Sequence, residues 1–256
     1  MMRTGLVSVT FRRKTPQEII ALVHQSGLDG IEWGADVHVL PGDLKGAAAV
    51  RQEMDAHGLL TLSYGSYYRL GSGDTNGFGQ IAETASALGA PNIRVWAGTS
   101  GSLETDADQL ARVLEDAWQC AGVAAEYGLD VSTEFHGNTL MDSMEASLSF
   151  LDRVSHRCMH SYWQPIHPVS EESRHLSEIA ALRDTARLKN LHVYHWRQEQ
   201  RLPLRDGQTL WRERIRLVQH CADAALLEFV KDDSPEQFLE DASVLKQLCG
   251  MQDRKS

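Results

Sequence analysis

A short apolar run followed by an amphipathic segment recurs eight times along the chain, and no other feature narrows the possible folds as far. The candidate strands fall at 5–11, 30–34, 59–65, 92–98, 129–135, 159–164, 190–195 and 225–231. Helical periodicity fills the intervals. Ile19, Ile20, Leu22 and Val23 form one stripe, and Met144, Leu148, Leu151 and Val154 form another. Thr15-Pro16 and Ser234-Pro235 pair a capping hydroxyl with a first-turn proline, and Glu18 and Gln237 stand where capping boxes would close. Gly27, Gly58, Gly89 and Gly128 suit the left-handed residue that ends a helix. Strands alternating with helices, with no evident hairpin, imply parallel pairing. Eight such units in 256 residues predict an α/β fold, a (β/α)8 TIM barrel, over an open doubly wound sheet. No GxGxxG follows the first strand and no GxxxxGK[ST] occurs, so dinucleotide and P-loop readings lack support. One domain is expected over 1–250, with a polar tail at 251–256.

The formal charge of −10 disfavours a nucleic-acid surface, whose affinity comes from Lys and Arg against phosphate. No run of ~18 apolar residues is present, and "MMRTGLVSVTFRRK" lacks the apolar core of a signal peptide. A cytoplasmic protein without a membrane partner is therefore expected. Cys120, Cys158, Cys221 and Cys249 show no CxxC spacing, which argues against a zinc ribbon or a disulfide framework.

Polar residues gather where the strands end, which in a parallel barrel is the functional face. The fifth strand ends at Glu134 and His136. The sixth runs into Gln164 and His167, the seventh carries His192 and His195, and the eighth carries Glu228. Strand alternation sends Glu134 into the barrel if Val131 and Thr133 face the helices. A buried carboxylate there needs a cation, a proton or a donor. Glu228 interrupts the apolar "ALLEFV" in the same way. If Leu191 and Val193 face outward, His192 and Tyr194 face inward and His195 does not. Structural salt bridges are the plainer alternative for both glutamates. Two carboxylates and an imidazole suit a divalent ion such as Mn²⁺, Mg²⁺, Co²⁺ or Zn²⁺, which would polarise a carbonyl while the carboxylates move a proton beside it. Tyr64, Tyr67, Tyr68, Trp96, Trp163 and Trp196 lie at or beyond strand ends and could stack on a sugar, or merely pack the barrel top. Arg197, Arg201 and Arg205 could meet an acidic substrate, or form a solvated face.

From "SGLDGIEWG" through "LGAPNIRVWAG" to the last strand, the chain resembles the xylose-isomerase-like TIM-barrel superfamily of sugar (phosphate) isomerases and epimerases. The resemblance implies one divalent ion held by Glu, Asp, His and Glu from strands five to eight, with both glutamates as the acid–base pair. Glu134 in "TEFHGN", His192 in "LKNLHVYHW" and Glu228 in "LEFV" match three of those positions. His167 matches a histidine three residues after the strand-six ligand, and Glu32 in "GIEWG" matches a second-strand glutamate near the substrate pocket, with a structural pairing as its equal alternative. The departure is Gln164 in "WQPIH", where the family has aspartate. A neutral amide oxygen can still face a metal, but the site then has one negative charge fewer. The ion is then weakly bound, completed by substrate, or lost. The family's nuclease branch needs further histidines on strands two to four, which His38 alone does not supply. The expected function is a metal-dependent sugar isomerase or epimerase. Its expected catalytic residues are Glu134 and Glu228, its ligands Glu134, Gln164, His192 and Glu228, and its substrate contacts His136, His167, Glu32, Trp96 and Arg201. The alternatives are a dehydratase or lyase and a non-catalytic carbohydrate-binding protein. The expected partner is a small carbohydrate, and a homo-oligomer is left open.

Overall fold

The computed structural model describes residues 2–166 and 171–250. In chain order the elements are β1 (Arg3–Val7), α1 (Pro16–Ser26), β2 (Gly30–Gly34), α2 (Leu44–Ala56), β3 (Leu60–Arg69) and α3 (Thr75–Leu88). Next come β4 (Asn92–Trp96), α4 (Ala107–Glu126), β5 (Asp130–Glu134), α5 (Met144–Val154), β6 (Met159–Trp163) and α6 (Glu172–Asp184). The chain continues through β7 (Leu188–Val193), β8 (His195–Arg197), β9 (Gln200–Leu202), α7 (Gln208–Val218), β10 (Ala224–Leu227) and α8 (Pro235–Cys249). Strands β1 to β7 and β10 close a parallel barrel in the order β1-β10-β7-β6-β5-β4-β3-β2. The fold is a (β/α)8 TIM barrel. Among the described residues no helix is long and apolar enough to cross a membrane.

Local chemistry explains the punctuation. Thr15 and Glu18 complete a capping box on α1. Ser234 caps α8 through the Gln237 N–H, but the Gln237 side chain turns to Asp241, so the second box is half made. Gly27, Gly58, Gly89 and Gly128 all adopt positive φ, from 67° to 75°, as helix-ending residues do. Several strand limits differ from the sequence reading. The first strand stops at Val7 and tightens into a 3-10 turn over Ser8–Phe11. β3 runs on to Arg69, and β10 stops at Leu227, one residue short of Glu228. A hairpin the sequence reading did not expect, β8–β9, pairs antiparallel above the mouth.

Most buried apolar side chains lie between barrel and helices, while Val7, Leu62, Tyr162, Ala224 and Leu226 fill the barrel interior. Gly5 makes room for that filling: a Cβ there would come within 2.5 Å of Leu62 and 2.8 Å of Leu226. Burying a leucine in such a place stabilises the fold by about 1.5–3 kcal/mol. Above it runs a polar layer. Asn92 and Asn190 donate to the Tyr162 hydroxyl at 3.1 and 2.6 Å, and Ser132 donates to Asn92 at 2.7 Å.

At the opposite end from the site, Lys189 bridges Asp130 at 2.5 Å and Asp223 at 3.1 Å, with His160 3.4 Å from Asp130. Burial alone would raise the Asp130 pKa, but His160 and Lys189 overcome it and hold it at about 2. A carboxylate held below its ordinary value of about 4 contributes stability that is complete above that value and lost as pH falls toward 2. Melting curves of wild type and Asp130→Asn should therefore lie apart at neutral pH and converge in that acid window. A gap that persists at pH 2 would refute the assignment.

Candidate functional site

Six of the barrel strands deliver polar or charged side chains to the C-terminal end. Glu32 on β2, Arg94 on β4, Glu134 at the end of β5 and His192 on β7 form a buried charged ring. Gln164 follows β6 and Glu228 follows β10, and both are buried. Arg94 is the centre of the ring. Its Nε donates to Glu32 Oε1 at 2.8 Å, and its Nη1 donates to Glu134 Oε2. Trp96 Nε1 donates to the same Glu134 oxygen at 2.5 Å, while Gln164 Nε2 donates to the other at 2.7 Å. Below, the Tyr162 hydroxyl donates to Glu32 Oε2 at 2.9 Å, tying the ring to the polar layer. His192 Nδ1 stands 3.4 Å from Glu228 and 3.6 Å from Glu134, and Nε2 stands 3.6 Å from Glu32.

The two site glutamates are therefore treated differently. Glu134 has donors on both oxygens, whereas Glu228 Oε2 is buried without a hydrogen-bond partner among the described residues. Burial pushes Glu134 upward, but Arg94 and then His192 outweigh it and hold the group well below the usual carboxylate range. The same balance holds Glu32 at about 2. For Glu228 burial dominates. His192 and Arg94 pull against it, Glu134 and Glu32 reinforce it, and the group rises to about 7. Burial alone would lower His192, but the carboxylates of Glu228, Glu134 and Glu32 raise it to about 10. Neighbouring carboxyls pushed apart in this way are able to take separate roles as fixed charge and proton carrier.

Above the ring opens a cavity of about 1920 Å³, larger than the ~300–1,000 Å³ typical of small-molecule sites. Arg94, Glu134, Gln164 and Glu228 line its floor, with Tyr67, Trp96, His136 and Tyr194 around them. His136 Nδ1 bonds the Gly137 carbonyl at 2.6 Å, and its ring lies 5.3 Å from that of Trp96. Glu32 and His192 sit beneath this lining, so Glu32 is enclosed by Arg94 and Tyr162 and has no open face toward a substrate. His167 falls outside the described residues. His195, expected off the inward face of the seventh strand as a loop or outer residue, lies beyond β7 on the hairpin strand β8 and reaches the lining from there.

The aromatic residues divide. Tyr67, Trp96 and Trp196 line the cavity, but Tyr64, Tyr68 and Trp163 face outward. Their polar atoms go to Val39 O, to Asp116 on α4 and to Glu178 on α6. Arg201 lines the mouth and pairs with Asp233 at 2.6 Å, lying over the rings of Trp196 and Phe229. Arg197 also lines it, whereas Arg205 is drawn to Glu240 on the outer surface. Phe229, directly after Glu228, holds a left-handed backbone (φ 53°) and packs against Tyr194 and Trp196 with centroids 5.4 and 5.2 Å away.

Arg94 is the residue that sequence reasoning missed. The signal was present: in "NIRVW" a charge stands between Ile93 and Val95, the same interruption that marked Glu134 and Glu228. Among the described residues no three His, Cys, Asp or Glu side chains form a metal-holding cluster by themselves. The observation that does point to a ligand is a set of orphaned atoms. Gln164 Oε1, both ring nitrogens of His192 and Glu228 Oε2 are buried without hydrogen-bond partners among the described residues. Buried polar groups rarely go unpaired.

The sequence profile of the xylose isomerase-like TIM barrel family matches residues 20–248. No protein of curated function is significantly similar in sequence. Among solved structures, the probable 3-DHS dehydratase AsbF, involved in petrobactin synthesis in Bacillus anthracis, superposes with a TM-score of 0.82 at 18% identity, covering 96% of this chain and 99% of that one. A D-psicose 3-epimerase crystallised in the presence of D-fructose gives 0.74 at 16% identity, with 98% and 100% covered. A xylose isomerase-like TIM barrel protein from Mycobacterium smegmatis in complex with magnesium gives 0.69 at 12% identity, with 97% and 96% covered. At these identities the likeness establishes the fold, and the profile match establishes the family. The chain belongs to the xylose isomerase-like TIM barrel family.

Proposed function

We propose that this protein is an enzyme that moves a proton on and off a carbon beside the carbonyl of a sugar or sugar derivative. The observation that carries the reading is the asymmetry of the two cavity-floor glutamates: Glu134 is saturated by donors, and Glu228 has a free oxygen. Glu228 takes the proton as general base and returns it as general acid. Glu134, fixed by Arg94, Trp96 and Gln164, keeps its charge and its place. One free carboxylate suits a reaction run from one face. Such a base returns the proton to the neighbouring carbon, giving aldose–ketose isomerisation. Epimerisation needs a second proton donor on the other face, and here Glu134 is already engaged. The same single base supports water elimination where a second group protonates the leaving hydroxyl. His136, with Nδ1 committed to Gly137 O and its other nitrogen uncommitted among the described residues, is placed on the lining for that. Tyr67, Trp96 and Trp196 offer aromatic faces to the substrate, and Arg201 an N–H fork at the mouth.

The donor set fits a divalent ion. Two carboxylates, an imidazole and an amide oxygen are hard-to-borderline ligands, and the orphaned atoms lie on three of those four residues. Glu134, Gln164, His192 and Glu228 would hold the ion, and bound there it would polarise the substrate carbonyl as a Lewis acid. The fold likeness to a magnesium-bound family member supports this, as does the family match.

The test is exchange in D2O across a panel of aldoses, ketoses and keto acids, with and without Mn²⁺. Deuterium entering substrate carbon without loss of water is the expected result, and loss of water would select elimination. Mn²⁺ should raise the melting temperature, Glu134→Gln should remove that rise, and Gln164→Asp should enlarge it by restoring a charge. Neither exchange nor water loss with any of these compounds would refute the enzymatic reading.

A further inference from the structure

We propose that Arg94 is itself a catalytic residue, whose unengaged N–H groups donate to the substrate oxygen that becomes negative as the adjacent carbon loses its proton. This rests on the proton-transfer reading above and deepens it.

The guanidinium uses Nε for Glu32 and Nη1 for Glu134, and Nη2 has no hydrogen bond to any described residue. Yet Arg94 lines the cavity floor beside Glu134, Gln164 and Glu228. A purely structural bridge between Glu32 and Glu134 would not require an open donor edge at the cavity. The local backbone keeps that edge free. Gly65 stands opposite Arg94 in the β3–β4 register, and a Cβ at Gly65 would lie 2.7 Å from Nη2 and 3.1 Å from Glu32 Oε1. Immediately beyond, the pairing of β3 with β4 becomes irregular between Gly65 and Arg69, and Tyr67 takes a left-handed φ of 58°. That turn sets the Tyr67 ring over the guanidinium, with Cζ 5.4 Å from the centroid, so one face of Arg94 is covered and its motion is restricted. The strand carries a glycine and a bend at the point where the arginine needs space and a cover.

The chemistry follows directly. Glu228 removes the proton from the carbon beside the carbonyl. The C–H electron pair becomes a carbon–carbon double bond, and the carbonyl π pair moves onto oxygen. That oxygen becomes an enolate oxygen, which Arg94 binds through N–H donors. The hydroxyl on the deprotonated carbon then passes its proton to that enolate oxygen, Glu228 returns the carbon-derived proton to the former carbonyl carbon, and the carbonyl is left on the carbon that first lost its proton. A preformed donor aimed at a developing oxyanion is worth about 10²–10³ in kcat.

The experiment uses oxalate, a planar dianionic mimic of the deprotonated intermediate, and xylitol, a neutral polyol, titrated calorimetrically against the whole protein with and without Mn²⁺. Oxalate should bind wild type. Arg94→Gln should weaken it at least about 10-fold, in line with the loss of a charged donor, and Arg94→Lys should restore part of the loss. Xylitol binding should be unchanged. Gly65→Ala, which keeps the charge but displaces Nη2, should also weaken oxalate, and it decides the matter if Arg94→Gln does not fold. Oxalate that fails to bind wild type, or binds these variants equally well, overturns the proposal. Oxalate binding that depends on Arg94 in a protein without D2O exchange would sink the proton-transfer reading and leave Arg94 as an anion site. Exchange that persists undiminished in the Arg94 variants would sink the catalytic role alone.

Discussion

Glu228→Gln is expected to lower the rate of D2O exchange by about 10²–10⁴, the usual contribution of a positioned general base. The substitution keeps the length and shape of the side chain and removes only its capacity to carry a proton. Oε2 makes no hydrogen bond among the described residues, and the amide gives up the 3.4 Å ion pair with His192 Nδ1 while relieving the burial and carboxylate repulsion that raise Glu228, so the melting temperature should change little. The loss should therefore appear in kcat with little change in KM, as for a group that acts in the transition state. Glu134→Gln should behave differently. It puts an amide where Arg94, Trp96 and Gln164 all donate, so donors would face donors. Its losses should extend to stability. If Glu228→Gln retains wild-type exchange, the proton moves through another group and the reading of the asymmetric glutamates is wrong.

Arg94→Met should be the most destabilising substitution in the ring. It leaves Glu32 and Glu134 buried without the guanidinium that hydrogen-bonds both, with His192, 3.6 Å from each, as their remaining shared cation. Removing one partner of such a buried pair costs about 3–5 kcal/mol. At roughly 2–4 °C per kcal/mol for a chain of this size, the melting temperature falls by roughly 6–20 °C. The double variant Glu32→Gln/Arg94→Met should lose less than the sum of the singles, because the carboxylate that would have been stranded is gone. Additive losses in the double variant would show that Glu32 and Arg94 are not energetically coupled.

The alternation that defines the barrel was legible because strands and helices carry different periods, and because glycines and capping hydroxyls mark their limits. The inward direction of Glu134 and His192 follows from the same period of two. Applied consistently, that period would also have turned Arg94 inward and Trp163 outward, whereas Tyr64 faces outward two residues after the inward Leu62 because the β2–β3 register slips between Ile31 and Glu32. Position near a strand end carried more weight than parity for Trp163, and the irregular register of β3 hid the outward direction of Tyr64 and Tyr68, so three buried outer-layer aromatics passed for rim residues. The hairpin was hidden for another reason. Its two-residue turn, Gln198-Glu199, takes positive φ at both positions (49° and 65°) without the glycine or asparagine that usually announces such a turn. Three-residue strands of mixed polarity left no periodic signal around it. The Asp-to-Gln departure at Gln164 was visible, but not its outcome: the amide nitrogen pairs with Glu134, and the amide oxygen has no partner among the described residues.

The left-handed Phe229 has a consequence for how the carboxylate of Glu228, the base proposed above, is aimed. A bulky side chain in that conformation strains the backbone, and it persists only where the surroundings overrule its preference. Here the surroundings are Tyr194, Trp196 and Arg201, two of them on the hairpin, with Asp233 fastening the arginine in turn. The direction of Glu228 is thus governed from a distance, by a small ribbon that contributes no proton. If Glu228 is the base, changes in that ribbon are expected to alter turnover while Glu228, Glu134 and Arg94 all stay the same.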